Sequence, residues 1–247
     1  MDLSIKTRFL DRWAAYFPGT ELPIVFSYTD QEIPSNTPPP GKRHHCIICD
    51  LRPVRDGETR AFDAGTITCG GAKRYLGFET KMRPNFAYFL SCGIPGELEG
   101  ERYKRSPELV ERYLESQPAF EAPGRTIVFK RWDDLKAEDS PHVVIFFATP
   151  DVLSGLFTLT NFDEEDPQAV ITPFGSGCSS IVYHPYQELR SDRPRAVLGM
   201  FDVSARPCVA PEILTFAVPW PKVVDMVDQM EESFLTTDAW RKVRARL

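Results

Sequence analysis

The apolar run HVVIFFA, residues 142–148, predicts a β-strand that is buried on both faces. The residues directly after it, Thr149-Pro150-Asp151, predict the start of a helix that continues to about Leu159, with Asp151 placed to interact favourably with the helix dipole. A strand without a polar face lies in the interior of a sheet and is covered by helices on both sides. This segment therefore favours an α/β protein.

The rest of the sequence carries further strand and helix patterns. Short β-branched and aromatic runs predict strands, and apolar residues at helical spacing predict helices. The two alternate in the second half of the chain, which predicts a mixed β-sheet covered by helices, with an α+β arrangement as the alternative. The other predicted strands are Leu22–Tyr28, Thr59–Phe62, Thr126–Trp132, Ala169–Pro173, Ala196–Asp202 and Ile213–Val218. The main other helices are Leu3–Phe17, Pro107–Gln117, Pro221–Phe234 and Asp238–Leu247, and Pro34–Gly41 is predicted to be a stiff exposed loop.

Length and charge limit the possible organisation and partners of the protein. A chain of 247 residues can bury a sizeable core, and we predict one domain, with a possible division into a cysteine-bearing part at about 1–120 and an α/β part at about 121–247. The formal net charge of -6 argues against a nucleic-acid partner. The apolar runs are too short to span a bilayer, and the charged N-terminal residues lack the apolar core of a secretion signal. We therefore expect a cytoplasmic protein without a membrane partner, and cysteines that form no disulfides.

The segment HHCIICDLRPVRDGETRAFDAGTITCGGAKRYLGF, residues 44–78, contains three of the six cysteines. Cys46 and Cys49 form a C-x-x-C pair, and on a short helix their sulfurs would share one face. Cys69 opens a C-G-G turn before a predicted helix, where glycines let the backbone approach a bound group and the helix N-terminus favours an anion. We therefore predict that the functional site of the protein, if it has one, lies in this segment.

The order of several motifs resembles domain-of-unknown-function family 169, the ArCR-like family of bacteria and archaea. The resemblance covers most of the chain, and its motifs are the segment from Cys46 to Gly57, C-G-G-A-x-x-x-L-G-F at residues 69–78, PHVVIFFATPDVL, the G-S-G-C turn at Cys178, and PEILTFAVPWPKV. It implies a cytoplasmic α/β protein with cysteines near a glycine-rich pocket, and no settled reaction. Cys49 and the basic stretch Pro53–Arg55 depart from the pattern expected of the family.

The leading functional hypothesis is an iron–sulfur cluster in a protein with a redox or accessory role and a redox partner protein. Soft thiolates select iron–sulfur clusters or zinc. Zinc is the alternative metal, and His44 and His45 could help to bind it. The predicted ligands are Cys46, Cys49 and Cys69, with Cys92 or Cys178 as the fourth. The plain alternative is that several of these cysteines are small buried hydrophobic residues, as we expect for Cys208 in a structural role.

Two other hypotheses remain open at this point. Glycine-rich turns present backbone N–H groups to anions, so the protein could instead bind or sense a small anionic metabolite without a metal. The residues predicted for that role are Gly70, Gly71, Lys73, Gly175, Ser176, Gly177, Ser179 and Arg206, with Asp202 beside them; ordinary tight turns are the alternative. Cys46 and Cys49 could also perform thiol redox chemistry. The apolar stripe Val223–Phe234 is predicted to be core or the face of a homodimer, and His184 to be a surface residue.

Overall fold

The computed structural model describes residues 1–33 and 45–247. Within these ranges the α-helices are Leu3–Tyr16 (α1), Ile47–Asp50 (α2), Arg52–Arg55 (α3), Gly70–Tyr75 (α4), Phe86–Leu90 (α5), Pro107–Glu115 (α6), Pro150–Thr160 (α7), His184–Glu188 (α8), Trp220–Gln229 (α9) and Asp238–Arg244 (α10). A π-helix, Ser179–Tyr183, leads directly into α8. The strands are Ile24–Thr29 (β1), Arg60–Phe62 (β2), Thr126–Arg131 (β3), Val143–Ala148 (β4), Val170–Ile171 (β5), Ala196–Gly199 (β6) and Leu214–Pro219 (β7). The predicted loop Pro34–Gly41 lies outside the described residues.

The described strands form one mixed sheet in the order β2-β3-β1-β4-β7-β6-β5. Strand β5 pairs parallel with β6, and the other neighbours pair antiparallel. Strand β4 lies in the middle, which is why its side chains are all buried. The prediction of an α/β protein with a mixed sheet covered by helices is confirmed. Strands β1 and β2 precede residue 121 and pair with β3 and β4 beyond it, so the sheet continues across the predicted division of the chain.

Helices cover the two faces of the sheet. Side chains alternate along β4, so that Val143, Ile145 and Phe147 contact one hydrophobic cluster, and Val144, Phe146 and Ala148 contact the other. The first cluster includes residues of α2, α3, α4, the π-helix and α8. The second includes residues of α1, α7, α9 and α10, and the apolar stripe of α9 packs there as core. All the predicted cysteine and glycine sites lie on segments outside the second hydrophobic cluster.

Candidate functional site

Three free thiols from distant parts of the chain lie near one another on the first face of the sheet. Cys46 precedes α2, Cys69 precedes α4, and Cys178 precedes the π-helix. Cys46 and Cys69 both raise the pKa of Cys178, and Cys69 also raises the pKa of Cys46, so the three sulfurs lie within electrostatic reach of each other. Helix α4 also contacts the π-helix. We call Cys46, Cys69 and Cys178 the thiol site.

Cys46 and Cys69 each stand at the N-terminus of a short helix, where backbone N–H groups have no partner within the helix. The sulfur of Cys69 accepts a hydrogen bond from the Ala72 amide at 3.5 Å, as a serine would at the same capping position. The sulfur of Cys46 makes no such capping hydrogen bond. The local sequence therefore directs a hydrogen-bond donor at the sulfur of Cys69.

Burial disfavours the thiolate forms of Cys46 and Cys178. Burial is the main cause that raises the pKa of Cys46, and Cys69 and Asp202 raise it further. Burial also raises the pKa of Cys178 far above its ordinary range, although a contact with the Ser176 hydroxyl at 3.1 Å opposes the change. Because the surroundings disfavour negative charge, a group that binds these sulfurs as thiolates must itself bring positive charge.

The glycine turn before Cys178 is closed by the protein's own carboxylate. The Gly177 amide donates to Asp202 at 2.9 Å, and the Ser179 amide donates to the Ser176 hydroxyl at 3.2 Å. The other oxygen of Asp202 accepts hydrogen bonds from the amide and hydroxyl of Ser204. Asp202 follows Met200, whose φ of 71° is in the left-handed region and turns the chain at the end of β6. Asp202 thus takes the position that the sequence suggested for a bound anion.

The second glycine turn is more open. A Cβ atom at Gly70 would meet nothing within 4 Å, and one at Gly71 would lie 3.8 Å from the sulfur of Cys69. Lys73 continues this turn, and its amide donates to the carbonyl of Cys69. Arg206, in contrast, hydrogen-bonds the carbonyls of Ala210, Pro211 and Ile213, so its guanidinium holds a loop of its own segment. The anion-binding roles of these residues stay predictions.

Cys49 is bonded to Cys208, so its predicted role as a free thiol or metal ligand is wrong. The disulfide joins α2 to the 3₁₀ turn Arg206–Cys208 across 159 residues, with a Cα–Cα distance of 4.8 Å. The expectation that no cysteine forms a disulfide is wrong for the same reason. The signal was absent from the sequence because the two segments become neighbours only when the sheet forms.

Cys92, His45 and His184 each have contacts of their own. Cys92 follows α5, is exposed, and contacts only the carbonyl of Gly93 among the described polar groups. His45 pairs with Asp50 at 2.5 Å, while His44 lies outside the described residues. His184, predicted at the surface, is half-buried with its ring 5.0 Å from that of Tyr183, and burial lowers its pKa to about 4. In residues 1–33 and 45–247, no group of three His, Cys, Asp or Glu side chains is arranged to hold a metal ion.

Two tyrosines beside the thiol site were not anticipated. Cys178 helps to raise the pKa of Tyr75 and of Tyr113, with burial as the main cause in both. The Tyr75 hydroxyl lies 3.2 Å from Gln117, and the Tyr113 hydroxyl donates to the Phe174 carbonyl just before the glycine turn. No motif marks these tyrosines in the sequence, because their relation to Cys178 arises from packing alone.

Comparison with known proteins identifies the family. A family model described as uncharacterised ArCR, domain of unknown function 169, matches residues 22–229. The chain belongs to this family. The resemblance predicted from the cysteine and glycine motifs is thereby confirmed, and the description of the ArCR family names no reaction and no ligand. No curated protein and no solved structure matches the chain. No helix in the described parts of this ArCR chain is long and apolar enough to cross a membrane.

Proposed function

We propose that this ArCR protein binds an iron–sulfur cluster through Cys46, Cys69 and Cys178 and serves a redox or accessory role in the cytoplasm. The observation that supports it is the convergence of three free thiols from three separate segments on one place. Thiolate sulfur is the ligand that iron–sulfur clusters use. The proposal keeps three of the five cysteines that the sequence suggested, and omits Cys49 and Cys92.

We favour a cluster over a single zinc ion. One ion needs its ligands in contact with a common centre, and no three candidate side chains in the described ranges are arranged in that way. A cluster binds each cysteine through a different iron atom, so its ligand sulfurs stand further apart than those of one ion.

The charge balance of the thiol site also favours a cationic metal centre. Three thiolates in a largely buried place are costly without positive charge nearby, and the iron atoms of a cluster supply it. The Ala72 amide that donates to Cys69 is of the kind that tunes the potential of a cluster through N–H···S hydrogen bonds. Asp202 lies within electrostatic reach of Cys46 and Cys178 and is our candidate for the fourth ligand position.

The metal-free alternative, binding of an anionic metabolite, has weaker support. Its central turn, around Gly177, already binds the carboxylate of Asp202. A Cβ atom at Gly71 would lie 3.8 Å from the sulfur of Cys69, and the space beside this glycine suits a group bound by that sulfur. We therefore assign both glycine turns to the surroundings of the cluster.

Anaerobic purification and reconstitution with iron and sulfide test the proposal. We expect about four irons and four sulfides per chain, as in a cubane cluster, and a visible absorption that dithionite bleaches. Cys178→Ser and Cys69→Ser should each lose most of the bound iron, because each removes one thiolate ligand. Cys69 is only half-buried, so its replacement tests the idea even if Cys178→Ser disturbs folding.

Cys92→Ser is the matched control, since Cys92 is exposed and lies apart from the thiol site in its contacts. It should keep its iron, its sulfide and its absorption. A wild-type protein that stays colourless and free of iron after anaerobic reconstitution would refute the proposal. Equal iron content in wild type, Cys69→Ser and Cys178→Ser would refute the ligand assignment.

A further inference from the structure

We propose that the Cys49–Cys208 disulfide is a reducible clamp, which a dithiol reductant opens to free part of the connection between β6 and β7 from helix α2. We call residues 201–213 of that connection the clamped loop. The clamped loop contains Asp202, which closes the glycine turn before Cys178. Opening the disulfide therefore loosens one side of the thiol site. The proposal does not require a bound metal.

The clamped loop is shaped by its own hydrogen bonds. The side chain of Asp202 accepts hydrogen bonds from the amide of Ser204 at 3.0 Å and from its hydroxyl at 2.7 Å. The carbonyl of Asp202 accepts from the amides of Ala205 and Arg206. The Arg206 guanidinium donates to three carbonyls further along the loop. Because these bonds begin and end within the loop, we expect it to keep its shape and to move as a unit when it is released.

The clamped loop is held against the first face of the sheet by contacts of different strength. The Gly177 amide donates to Asp202 at 2.9 Å, and the small side chain of Ala205 is buried in the first hydrophobic cluster. The disulfide adds a covalent bond from Cys208 to Cys49, across 159 residues of sequence. One hydrogen bond and one methyl group stabilise a contact only modestly, so the covalent bond is the strongest of these links.

Helix α2, at the other end of the disulfide, is fixed by the core. It has only four residues, and no side-chain hydrogen bond caps its start, so it would not be stable in isolation. Ile47 and Ile48 are buried in the first hydrophobic cluster and anchor α2 to the sheet. We therefore expect α2 to stay in place after reduction and the clamped loop to be the part that moves.

A reductant can reach the disulfide from solvent. Cys49 and Cys208 are both partly exposed, whereas the free thiol of Cys178 is buried. All three residues of the 3₁₀ turn Arg206–Cys208 are at least partly exposed, while Cys49 directly follows the buried Ile48. Since thiol–disulfide exchange depends on access to the sulfur that is attacked, Cys208 is the expected point of attack.

The dithiol balances the reaction. One thiolate of the reductant attacks the sulfur of Cys208, so that a mixed disulfide forms as the Cys49–Cys208 bond breaks, and the Cys49 thiolate leaves and takes up a proton. The second thiol of the reductant loses its proton and attacks the reductant's own sulfur in the mixed disulfide. The Cys208 thiolate then leaves and takes up a proton. The protein disulfide is reduced to two thiols, and the dithiol is oxidised to a disulfide.

Hydrogen–deuterium exchange of the metal-free protein, with and without dithiothreitol, tests the clamp. Alkylation in denaturant followed by mass spectrometry reports the redox state, since the oxidised chain takes four labels and the reduced chain takes six. We expect dithiothreitol to open the disulfide in the folded protein and to raise the exchange rate of peptides from the clamped loop severalfold. Peptides from β4 should not change, because β4 lies in the middle of the sheet.

Cys208→Ser should exchange like the reduced wild type in both conditions, because it has no clamp. Cys92→Ser, a change at an exposed cysteine outside the disulfide, should respond to dithiothreitol as the wild type does. If Cys208→Ser does not fold, the comparison of oxidised and reduced wild type still decides the question.

The proposal is overturned if the disulfide of the folded protein resists dithiothreitol. It is equally overturned if reduction leaves exchange in the clamped loop unchanged, or raises it to the same extent in β4, because the disulfide would then only stabilise the fold. Every measurement uses metal-free protein, so failure of the clamp and failure of the cluster proposal are distinguishable.

Discussion

Replacing Trp132 by alanine is expected to destabilise the protein by about 3–5 kcal/mol, the range for removal of a large buried aromatic side chain. Trp132 is fully buried at the end of β3. Its ring centroid lies 4.1 Å from that of Phe9 and 5.5 Å from that of Trp220, so it joins α1 and α9 to the sheet. Its indole N–H also donates to the Lys6 carbonyl at 3.3 Å.

Urea unfolding followed by circular dichroism measures this loss. The free energy of unfolding of Trp132→Phe should lie between those of the wild type and Trp132→Ala, because phenylalanine keeps an aromatic ring but loses the hydrogen bond. Phe157→Ala is the control, since Phe157 is 47% exposed on α7 and its removal should change the free energy of unfolding by no more than about 0.5 kcal/mol. Equal losses of unfolding free energy in Trp132→Ala and Phe157→Ala would contradict the prediction that Trp132 stabilises the second hydrophobic cluster.

Replacing Lys222 by methionine is expected to lower the free energy of unfolding by about 3 kcal/mol, because it leaves two neighbouring carboxylates without their buried cation. The Lys222 ammonium lies 2.8 Å from Asp163 and 2.6 Å from Glu164, and its side chain is almost completely buried. This expected loss of stability is at the lower end of the range for buried ion pairs, because Asp163 is partly exposed and water screens its charge. The pair ties α9 to the end of α7.

Chemical denaturation again measures the change, with Lys242→Met as the control at an exposed lysine of α10. The triple variant Lys222→Met, Asp163→Asn, Glu164→Gln should recover part of the stability, because it removes all three charges together. If Lys222→Met loses no more stability than Lys242→Met, the buried ion pair contributes nothing and the prediction is wrong.

The same pair predicts how this stability depends on pH. Burial opposes the charge of Lys222, but its hydrogen bonds with Asp163 and Glu164 outweigh burial and raise its pKa above the ordinary 10.5. Burial would likewise raise the pKa of Asp163, but hydrogen bonds from Lys222 and Gln229 outweigh it and lower the pKa below the ordinary 3.8. The lysine contribution is therefore complete below pH 10.5 and lost as pH rises through the higher folded value. The aspartate contribution is complete above pH 3.8 and lost as pH falls through the lower folded value.

Unfolding free energies of wild type and Lys222→Met across this range check the pH dependence. Their difference should be largest between the two ordinary values and shrink towards both extremes. A difference that stays constant through strongly acidic and strongly alkaline conditions would show that Lys222 acts through packing alone.

Local patterns predicted most elements of this ArCR chain well. Strand β4 lies close to its predicted bounds, because side-chain periodicity is a local property of the sequence. Helix α9 begins near its predicted start but ends at Gln229, and the predicted end, Phe234, begins a separate 3₁₀ turn. The π-helix after Cys178 could not be predicted, since nothing in its residues distinguishes the wider turn from that of an ordinary helix. The strand order also lay beyond the sequence, because pairing depends on which distant segments meet.

The cysteines separate local from tertiary information most clearly. The sequence by itself indicated that Cys69 opens a glycine turn before a helix, that Cys178 lies in a second glycine turn, and that Cys46 shares a short helix with Cys49. Only the tertiary structure decided that the thiols of Cys46, Cys69 and Cys178 lie within electrostatic reach of one another, that Cys49 is bonded to Cys208, and that Cys92 stays exposed. The physical reason is that a helix start depends on neighbouring residues, whereas contact between sulfurs depends on how the sheet brings together segments up to 159 residues apart.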